Sequence, residues 1–199
     1  WSPGRTLNSG FGVLVRASPL GLRPGEFLLP VYTGFVAHRS FDCRIRHRDG
    51  IVLSLECHRR ISQGGAIQPS IARLDDGRIL ALMRDEKGRG VYRAWSADEG
   101  RTWKKAELTA VSNRNSSVAV LALRDGRLLL LYNTAGRNVL ALGVSVDAGE
   151  SFRHVRDLES SPDPRAEYSY PALLQTRDGR VHAVYTYNRA AIKHVSFDG

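Results

Sequence analysis

An internal repeat of about 50 residues limits what this chain can fold into more than any other feature. Three segments, 68–82, 117–131 and 170–184, share one pattern: an apolar run, an Asp-Gly-Arg turn and a second apolar run. The three turns are 49 and 53 residues apart, and a weaker copy precedes them at Pro24-Gly25. An Asp-Gly pair between alternating apolar stretches supplies the positive φ that a tight turn needs, so each segment predicts a β-hairpin.

A second turn motif lies between the hairpins. Residues 96–103 read Ser-x-Asp-x-Gly-x-Thr-Trp, and residues 145–152 are a softened copy that begins 49 residues later. In such a turn the Ser and Asp side chains bond the backbone, the Gly permits the bend and the aromatic ring anchors the turn in an apolar layer. We call this motif the Asp box. It is interpreted as a structural staple rather than a site.

The two turn types together define the fold class. Each period reads as strand, Asp-Gly turn, strand, strand, Asp box, strand, which is one four-stranded antiparallel blade. No segment shows the 3–4 spacing of apolar residues that a helix needs. The sequence therefore predicts an all-β chain, a β-propeller of four-stranded antiparallel blades. Residues 1–199 form a single partial domain with repeats at roughly 15–66, 67–114, 115–166 and 167–199.

Composition narrows the possible partners. Net charge is +9, but the 25 arginines among 29 basic residues are scattered, which argues against a nucleic-acid-binding arm or helix. No apolar run approaches the roughly 18 residues of a membrane helix. The two cysteines are too few for a disulfide scaffold, and no metal, nucleotide or serine-triad motif occurs. We expect no cofactor, metal, nucleic acid or membrane partner. Residues 1–4 do not resemble a signal peptide, and the compartment and oligomeric state stay open.

The direction of the strands predicts which polar residues lie at the top rim of the propeller and which lie at the bottom rim. If the Asp-Gly turns mark the bottom, each inner strand starts at the top, where its partner strand ends. Planar cations for a carboxylate, amides for hydroxyls and aromatic faces for a ring would then gather there, as in a sugar site. The top-rim residues are Arg16, Gln68, Arg84, Asp85, Asn113, Asn115, Ser116, Asn133, Arg137, Glu167, Tyr168, Tyr170, Tyr187, Asn188 and Arg189.

The Asp boxes and hairpins resemble those of sialidases (neuraminidases) and other bacterial-neuraminidase-repeat proteins from about Val15 onward. The resemblance implies a six-bladed propeller, of which 199 residues hold about four blades. It also implies arginines that hold a substrate carboxylate. Leu82-Met83-Arg84-Asp85 is similar to one such arginine site, and Arg137, shortly before the second Asp box, is similar to another.

The resemblance further implies a tyrosine nucleophile. Glu167-Tyr168-Ser169-Tyr170 followed by an Asp-Gly hairpin is similar to the family motif, and Tyr168 is the implied nucleophile. Sialidases use tyrosine where most glycosidases use a carboxylate. A neutral phenol is not repelled by the carboxylate of the sugar, but it needs a base within hydrogen-bond reach.

One position departs from the family pattern. The family places a glutamate at the start of the inner strand, where this chain has Gln68, and glutamine cannot take a proton. Glu167 is a substitute candidate, although neighbours on a strand point to opposite faces. The expected catalytic set is thus Tyr168, Glu167 and Gln68. The expected substrate-binding set is Arg84, Arg137, Asp85, Asn115, Tyr170 and Arg189.

The leading hypothesis is a sialidase-like exo-glycosidase that hydrolyses a terminal acidic sugar, sialic acid or a related one, through a tyrosine nucleophile. Gln68 keeps two alternatives open: a divergent enzyme with other catalytic groups, or a non-catalytic propeller that binds glycans or another partner. A structural fragment without independent activity is a further alternative, because four blades leave two open sheet faces.

Overall fold

The computed structural model describes residues 12–34, 38–62 and 64–199, together with Thr6. The four N-terminal residues considered above lie outside these ranges. The described residues form four antiparallel sheets arranged as a four-bladed β-propeller, which confirms the predicted fold class. Among the described residues there is no helix long and apolar enough to cross a membrane.

The strands follow one another around the propeller in chain order. The first blade contains β1 (Val13–Val15), β2 (Leu20–Arg23), β3 (Glu26–Thr33), β4 (Arg39–Arg48) and β5 (Ile51–Arg60). The second contains β6 (Ala66–Arg73), β7 (Ile79–Asp85), β8 (Val91–Ser96) and β9 (Glu107–Leu108). The third contains β10 (Ala119–Ala122), β11 (Leu128–Asn133), β12 (Val139–Ser145) and β13 (Arg153–Ser160). The fourth contains β14 (Tyr168–Gln175), β15 (Arg180–Tyr187) and β16 (Ala191–Asp198).

Two blades depart from the four-strand pattern. In the first blade the inner strand is split, because β1 and β2 both pair with β3. The break spans 16–19 and brings Arg16 to the centre of the propeller, where it donates a hydrogen bond to the carbonyl of Pro171 in the fourth blade. The fourth blade has three strands within the described residues.

The core consists of apolar layers between successive blades. The second strands β7 and β11 are buried on both faces because a neighbouring blade covers each side, which explains their solid apolar runs. One layer joins the second and third blades through Leu80, Leu82, Leu128 and Leu130. Packing between successive blades thus depends on contacts between residues about 50 positions apart.

Each Asp box fastens its blade to the preceding one. Within the box of the second blade, Ser96 Oγ accepts from Gly100 N at 2.8 Å, and Asp98 accepts from both the backbone and the hydroxyl of Thr102. The same bonds recur around Asp147 in the third blade. The box then packs backward: Trp103 Nε1 donates to Asp42 of the first blade at 2.6 Å.

The role of the Asp box in joining two blades can be tested at its glycine, Gly100. A Cβ on Gly100 would lie 2.7 Å from Leu28 Cδ2 of the first blade, whereas a Cβ on Gly77 meets nothing within 4 Å. Both glycines have positive φ, so alanine costs about 1–2 kcal/mol of backbone energy at either position. We expect Gly100→Ala to lose a further 1–3 kcal/mol or so of unfolding free energy through overpacking. Urea denaturation of both variants measures the difference, and equal losses would contradict the staple.

The two cysteines are bonded to each other. Cys43 on β4 and Cys57 on β5 are direct cross-strand partners and form a disulfide that closes a loop of 14 residues. The sequence predicted no disulfide scaffold from two cysteines. The single disulfide they form joins two strands that also pair through backbone hydrogen bonds.

Candidate functional site

Three blades carry the same unusual backbone feature at the top of the inner strand. Gln68, Asn115 and Tyr170 have φ values of 56°, 52° and 54°, which lie in the left-handed region. Bulges accompany this conformation in β6 and β14, where the register shifts between Ile67 and Ser70 and between Ser169 and Ala172. Non-glycine residues rarely adopt such φ values, and strain of this kind concentrates at functional sites. A bulge also re-aims side chains, here towards the central opening.

Three guanidinium groups gather around Tyr170. The guanidinium carbon of Arg16 lies 5.9 Å from the centre of the Tyr170 ring, and that of Arg137 lies 5.6 Å from it. Arg84 comes close enough for the Tyr170 and Arg137 side chains to perturb its pKa. Tyr170 itself is 44 % exposed. The cluster therefore combines residues from all four blades: Arg16 next to β1, Arg84 near the end of β7, Arg137 between β11 and β12, and Tyr170 on β14.

Desolvation of the arginines makes this cluster electrostatically unusual. Burial, together with the neighbouring charge of Arg84, lowers the pKa of Arg16 to about 10 despite the opposing effects of Tyr170 and Tyr32. Burial likewise lowers the pKa of Arg84, with Arg137 adding to the effect. Among the described residues, no carboxylate forms an ion pair with Arg16 or Arg84. Two half-buried cations without an ion-pair partner are an arrangement that favours an anionic ligand.

Arg137 differs because it has a carboxylate partner. Its Nη1 lies 2.7 Å from Glu167 Oε1, and Arg189 Nε lies 2.6 Å from Glu167 Oε2. Burial opposes ionisation of Glu167, but hydrogen bonds from Ser169, Arg189 and Arg137 outweigh it and lower the pKa of Glu167 to about 2. A carboxylate held this firmly positions Arg137 and is a weak proton acceptor at neutral pH.

Gln68 lies on the same rim as the arginines. It is buried, and its Nε2 donates to Tyr32 Oη at 3.0 Å. Tyr32 also perturbs the pKa values of both Arg16 and Arg84, so it belongs to the cluster. Tyr32 ends an apolar strand and carries no motif, so no local signal points to it.

Several buried polar atoms on this rim have no hydrogen-bond partner among the described residues. Leaving such an atom unsatisfied costs about 1–3 kcal/mol, so a cluster of them marks a place where a ligand or water completes the bonding. The atoms are Arg16 Nε, Gln68 Oε1, Arg84 Nε, Asn115 Oδ1, Ser116 Oγ, Ser117 Oγ and Asn133 Oδ1.

The structure does not bring every predicted residue into the cluster. Tyr168 is 5 % exposed and packs between blades, with its ring 5.3 Å from that of Tyr187. Asp85 is fully buried and binds Arg89 through both oxygens, at 2.8 and 3.0 Å, within the β7–β8 turn. Arg189 contacts the cluster through its ion pair with Glu167.

Asn115 and the neighbouring amides frame the cluster. The Asn115 carbonyl accepts from Arg84 Nη1 at 3.0 Å and so fixes this guanidinium. Asn133 Nδ2 donates to the carbonyl of Tyr168 at 2.8 Å, which ties the third blade to the fourth. In the part of the chain that the structure describes, no three His, Cys, Asp or Glu side chains are placed to hold a metal ion.

Comparison with known proteins gives a family match. Residues 1–183 match the model of the BNR repeat-like domain, which confirms the family predicted from the Asp boxes. None of the curated proteins matches the chain.

Solved structures share the fold at low sequence identity. A Hadza microbial sialidase, Hz136, has a TM-score of 0.72 at 17 % identity, with 94 % of this chain and 38 % of that chain covered. A protein of unknown function from Dyadobacter fermentans has a TM-score of 0.66 at 18 % identity, covering 88 % and 50 %. A polysaccharide lyase, an ulvan lyase bound to -[GlcA(1-4)Rha3S]-, has a TM-score of 0.56 at 15 % identity, covering 88 % and 47 %. The chain thus spans half or less of the length of these structures.

Proposed function

We propose that this chain, which belongs to the BNR repeat-like domain family, supplies the acidic-sugar site of a sialidase-like exo-glycosidase. The substrate is a glycan that ends in sialic acid or a related acidic sugar. The sugar carboxylate would lie against Arg16, Arg84 and Arg137, and the reacting carbon would face Tyr170.

The observation that carries the proposal is the pair of half-buried arginines, Arg16 and Arg84, without an ion-pair partner among the described residues. A guanidinium fork binds a carboxylate with two parallel hydrogen bonds, and the bond is strongest where water is excluded. Arg84 Nε has no protein partner among the described residues, and its Nη1 is already fixed by Asn115. The free edge of this guanidinium is therefore held ready for an anionic ligand.

Tyr170 is better placed than Tyr168 to act as the nucleophile of a hydrolytic reaction. It is half exposed, lies between Arg16 and Arg137, and has a strained backbone conformation. In the reaction its Oη would give its proton to a water molecule and bond to the anomeric carbon while the glycosidic bond breaks, and the leaving oxygen would take a proton from water. A further water would later attack the anomeric carbon, release the sugar and return a proton to Oη. The neighbouring guanidinium groups would stabilise the negative charge that the oxygen carries between the loss of its proton and the formation of the bond.

The need for a proton acceptor, which neither Gln68 nor Glu167 readily meets, favours a second candidate function. Gln68 cannot take a proton, and Glu167 is held by Arg137, Arg189 and Ser169. An arginine clamp with a tyrosine and, within the described ranges, no free carboxylate beside it is also compatible with β-elimination from a uronic acid. Neutralising the carboxylate of the uronic acid acidifies its neighbouring C–H. The relative named as an ulvan lyase makes this a specific alternative. Binding without turnover is the remaining one.

One experiment separates the three functions. The protein is incubated with a fluorogenic sialoside and, in parallel, with a uronate-containing polysaccharide. We expect free sialic acid and released fluorophore from the first and no change in the second. A new ultraviolet absorbance from a C=C bond conjugated to the carboxylate would replace hydrolysis by elimination. Saturable binding of sialic acid without either product would leave an acidic-sugar-binding propeller.

A further inference from the structure

A second groove lies between the first and second blades, away from the arginine cluster. It has a volume of about 470 Å³ and shares no lining residue with the cluster. One wall is the segment after β5, and the other is the segment that follows the Asp box of the second blade. The lining residues are Arg60, Ile61, Ser62, Trp103, Lys104, Lys105 and Ala106.

The groove carries three positive charges and no negative one. Arg60, Lys104 and Lys105 are exposed, and none of their side chains forms an ion pair or hydrogen bond with a described residue. Most of the other described arginines have a bonding partner within the fold. Arg44, Arg93 and Arg124, for example, donate hydrogen bonds to backbone carbonyls of the next blade. Three uncommitted cations around one groove therefore attract an anion rather than complete the fold.

Trp103 provides an aromatic wall between these cations. Its indole N–H is fixed by Asp42 at 2.6 Å, and the following backbone N–H of Lys104 donates to the Trp95 carbonyl at 2.8 Å. The ring is therefore held in place while it lines the groove. Aromatic rings are amphipathic contact surfaces, and a fixed ring costs little conformational entropy when a ligand binds.

We propose that this groove is a secondary binding site for an acidic polysaccharide chain. A sugar ring would lie against Trp103, and its carboxylate or sulfate groups would contact Arg60, Lys104 and Lys105. The buried side chains of Ile61 and Ser62 form the floor and hold the first wall in place, because Ser62 Oγ donates to the Ala66 carbonyl at 2.6 Å. The site holds polymer next to the propeller and does not require that the arginine cluster hydrolyse it.

The test compares two charge-reversal variants of the whole chain. Binding of immobilised dextran sulfate, polygalacturonate and neutral dextran is measured for the wild type, for Lys104→Glu/Lys105→Glu and for Arg153→Glu/Arg177→Glu. The control pair is exposed, has no side-chain partner among the described residues and changes the net charge equally. We expect the groove variant to weaken binding of the anionic polymers about tenfold or more, and the control to weaken it less than twofold.

Other outcomes are equally decisive. Equal weakening by both variants would overturn the site, because it would show attraction by net charge alone. Preference for dextran sulfate or for polygalacturonate assigns sulfate or carboxylate as the anion. Single-stranded DNA that binds as tightly as either polymer, with the same dependence on Lys104 and Lys105, would overturn the assignment to a polysaccharide.

The aromatic contact has its own variant. Trp103→Phe keeps an aromatic ring at the Asp box, as Phe152 does in the next blade, but it shrinks the contact surface and removes the N–H that binds Asp42. We expect a lower thermal midpoint, so binding is measured well below the midpoint of the variant. Weaker polymer binding by the folded variant supports the ring contact, and unchanged binding would remove Trp103 from the site. Sialoside turnover, measured alongside, should be unaffected by all these variants, which separates this site from the arginine cluster.

Discussion

Replacing Tyr170 by phenylalanine is expected to reduce turnover of an acidic glycoside on the order of 1,000-fold or more, because the variant removes the only atom of the ring that can attack. The ring, its strained backbone and its contacts with Arg16 and Arg137 remain. The effect should therefore fall on kcat, with KM nearly unchanged. Steady-state kinetics with a fluorogenic sialoside measures both quantities.

Tyr168→Phe is the matched control for this prediction. Both tyrosines lie on β14, two positions apart, and each variant removes one hydroxyl. Tyr168 is buried between blades, and burial raises the pKa of its hydroxyl, which makes it a poor nucleophile. We expect the control to cost some stability and less than a few-fold in kcat. A loss confined to Tyr168→Phe would restore Tyr168 as the nucleophile that the family resemblance implies.

The contrast between these two tyrosines shows where sequence reasoning stops. In a regular strand, residues two apart point to the same face, so the pattern alone cannot separate Tyr168 from Tyr170. The bulge between Ser169 and Ala172 and the positive φ of Tyr170 break this regularity and turn its ring towards the arginines. A bulge without glycine leaves no clear mark in a sequence.

The fold could be predicted because its signals are local. Three of the repeated hairpins have an Asp-Gly turn, and each Asp box carries within eight residues the groups that bond its own backbone. The site is not local: Arg16 reaches Pro171, 155 positions along the chain, and Gln68 reaches Tyr32 in another blade. Strand direction placed Arg84 and Arg137 on the top rim with many other polar residues, and only the family resemblance singled them out as carboxylate-binding arginines.

The high arginine content is explained by structure rather than by a single ligand. Arg44 and Arg93, 49 positions apart, occupy equivalent places in successive blades, and each donates to a backbone carbonyl of the next Asp box. Composition could not distinguish such staples from ligand-binding arginines. Arg16 and Arg84 also donate to one backbone carbonyl each, but their buried Nε atoms stay unsatisfied among the described residues, and this is what distinguishes them.

Replacing Arg84 by alanine is expected to weaken binding of sialic acid roughly 100-fold, which corresponds to about 3 kcal/mol for a buried charge-assisted contact. The guanidinium is desolvated, so its contact with a carboxylate is little screened by salt. Isothermal titration with sialic acid or a non-hydrolysable analogue measures the affinity. Its dependence on salt should be weak, in contrast to binding by exposed arginines.

Two further variants distinguish the contribution of the bidentate guanidinium geometry from that of the positive charge. Arg84→Lys keeps a positive charge but loses the planar donor pair, so we expect it to recover only part of the affinity. Arg78→Ala removes an exposed arginine that pairs with Asp76 in an Asp-Gly turn, far from the cluster, and should bind like the wild type. Unchanged affinity in Arg84→Ala, with the variant folded by thermal denaturation, would contradict the carboxylate clamp. Full recovery in Arg84→Lys would show that charge alone, without the bidentate geometry, holds the sugar.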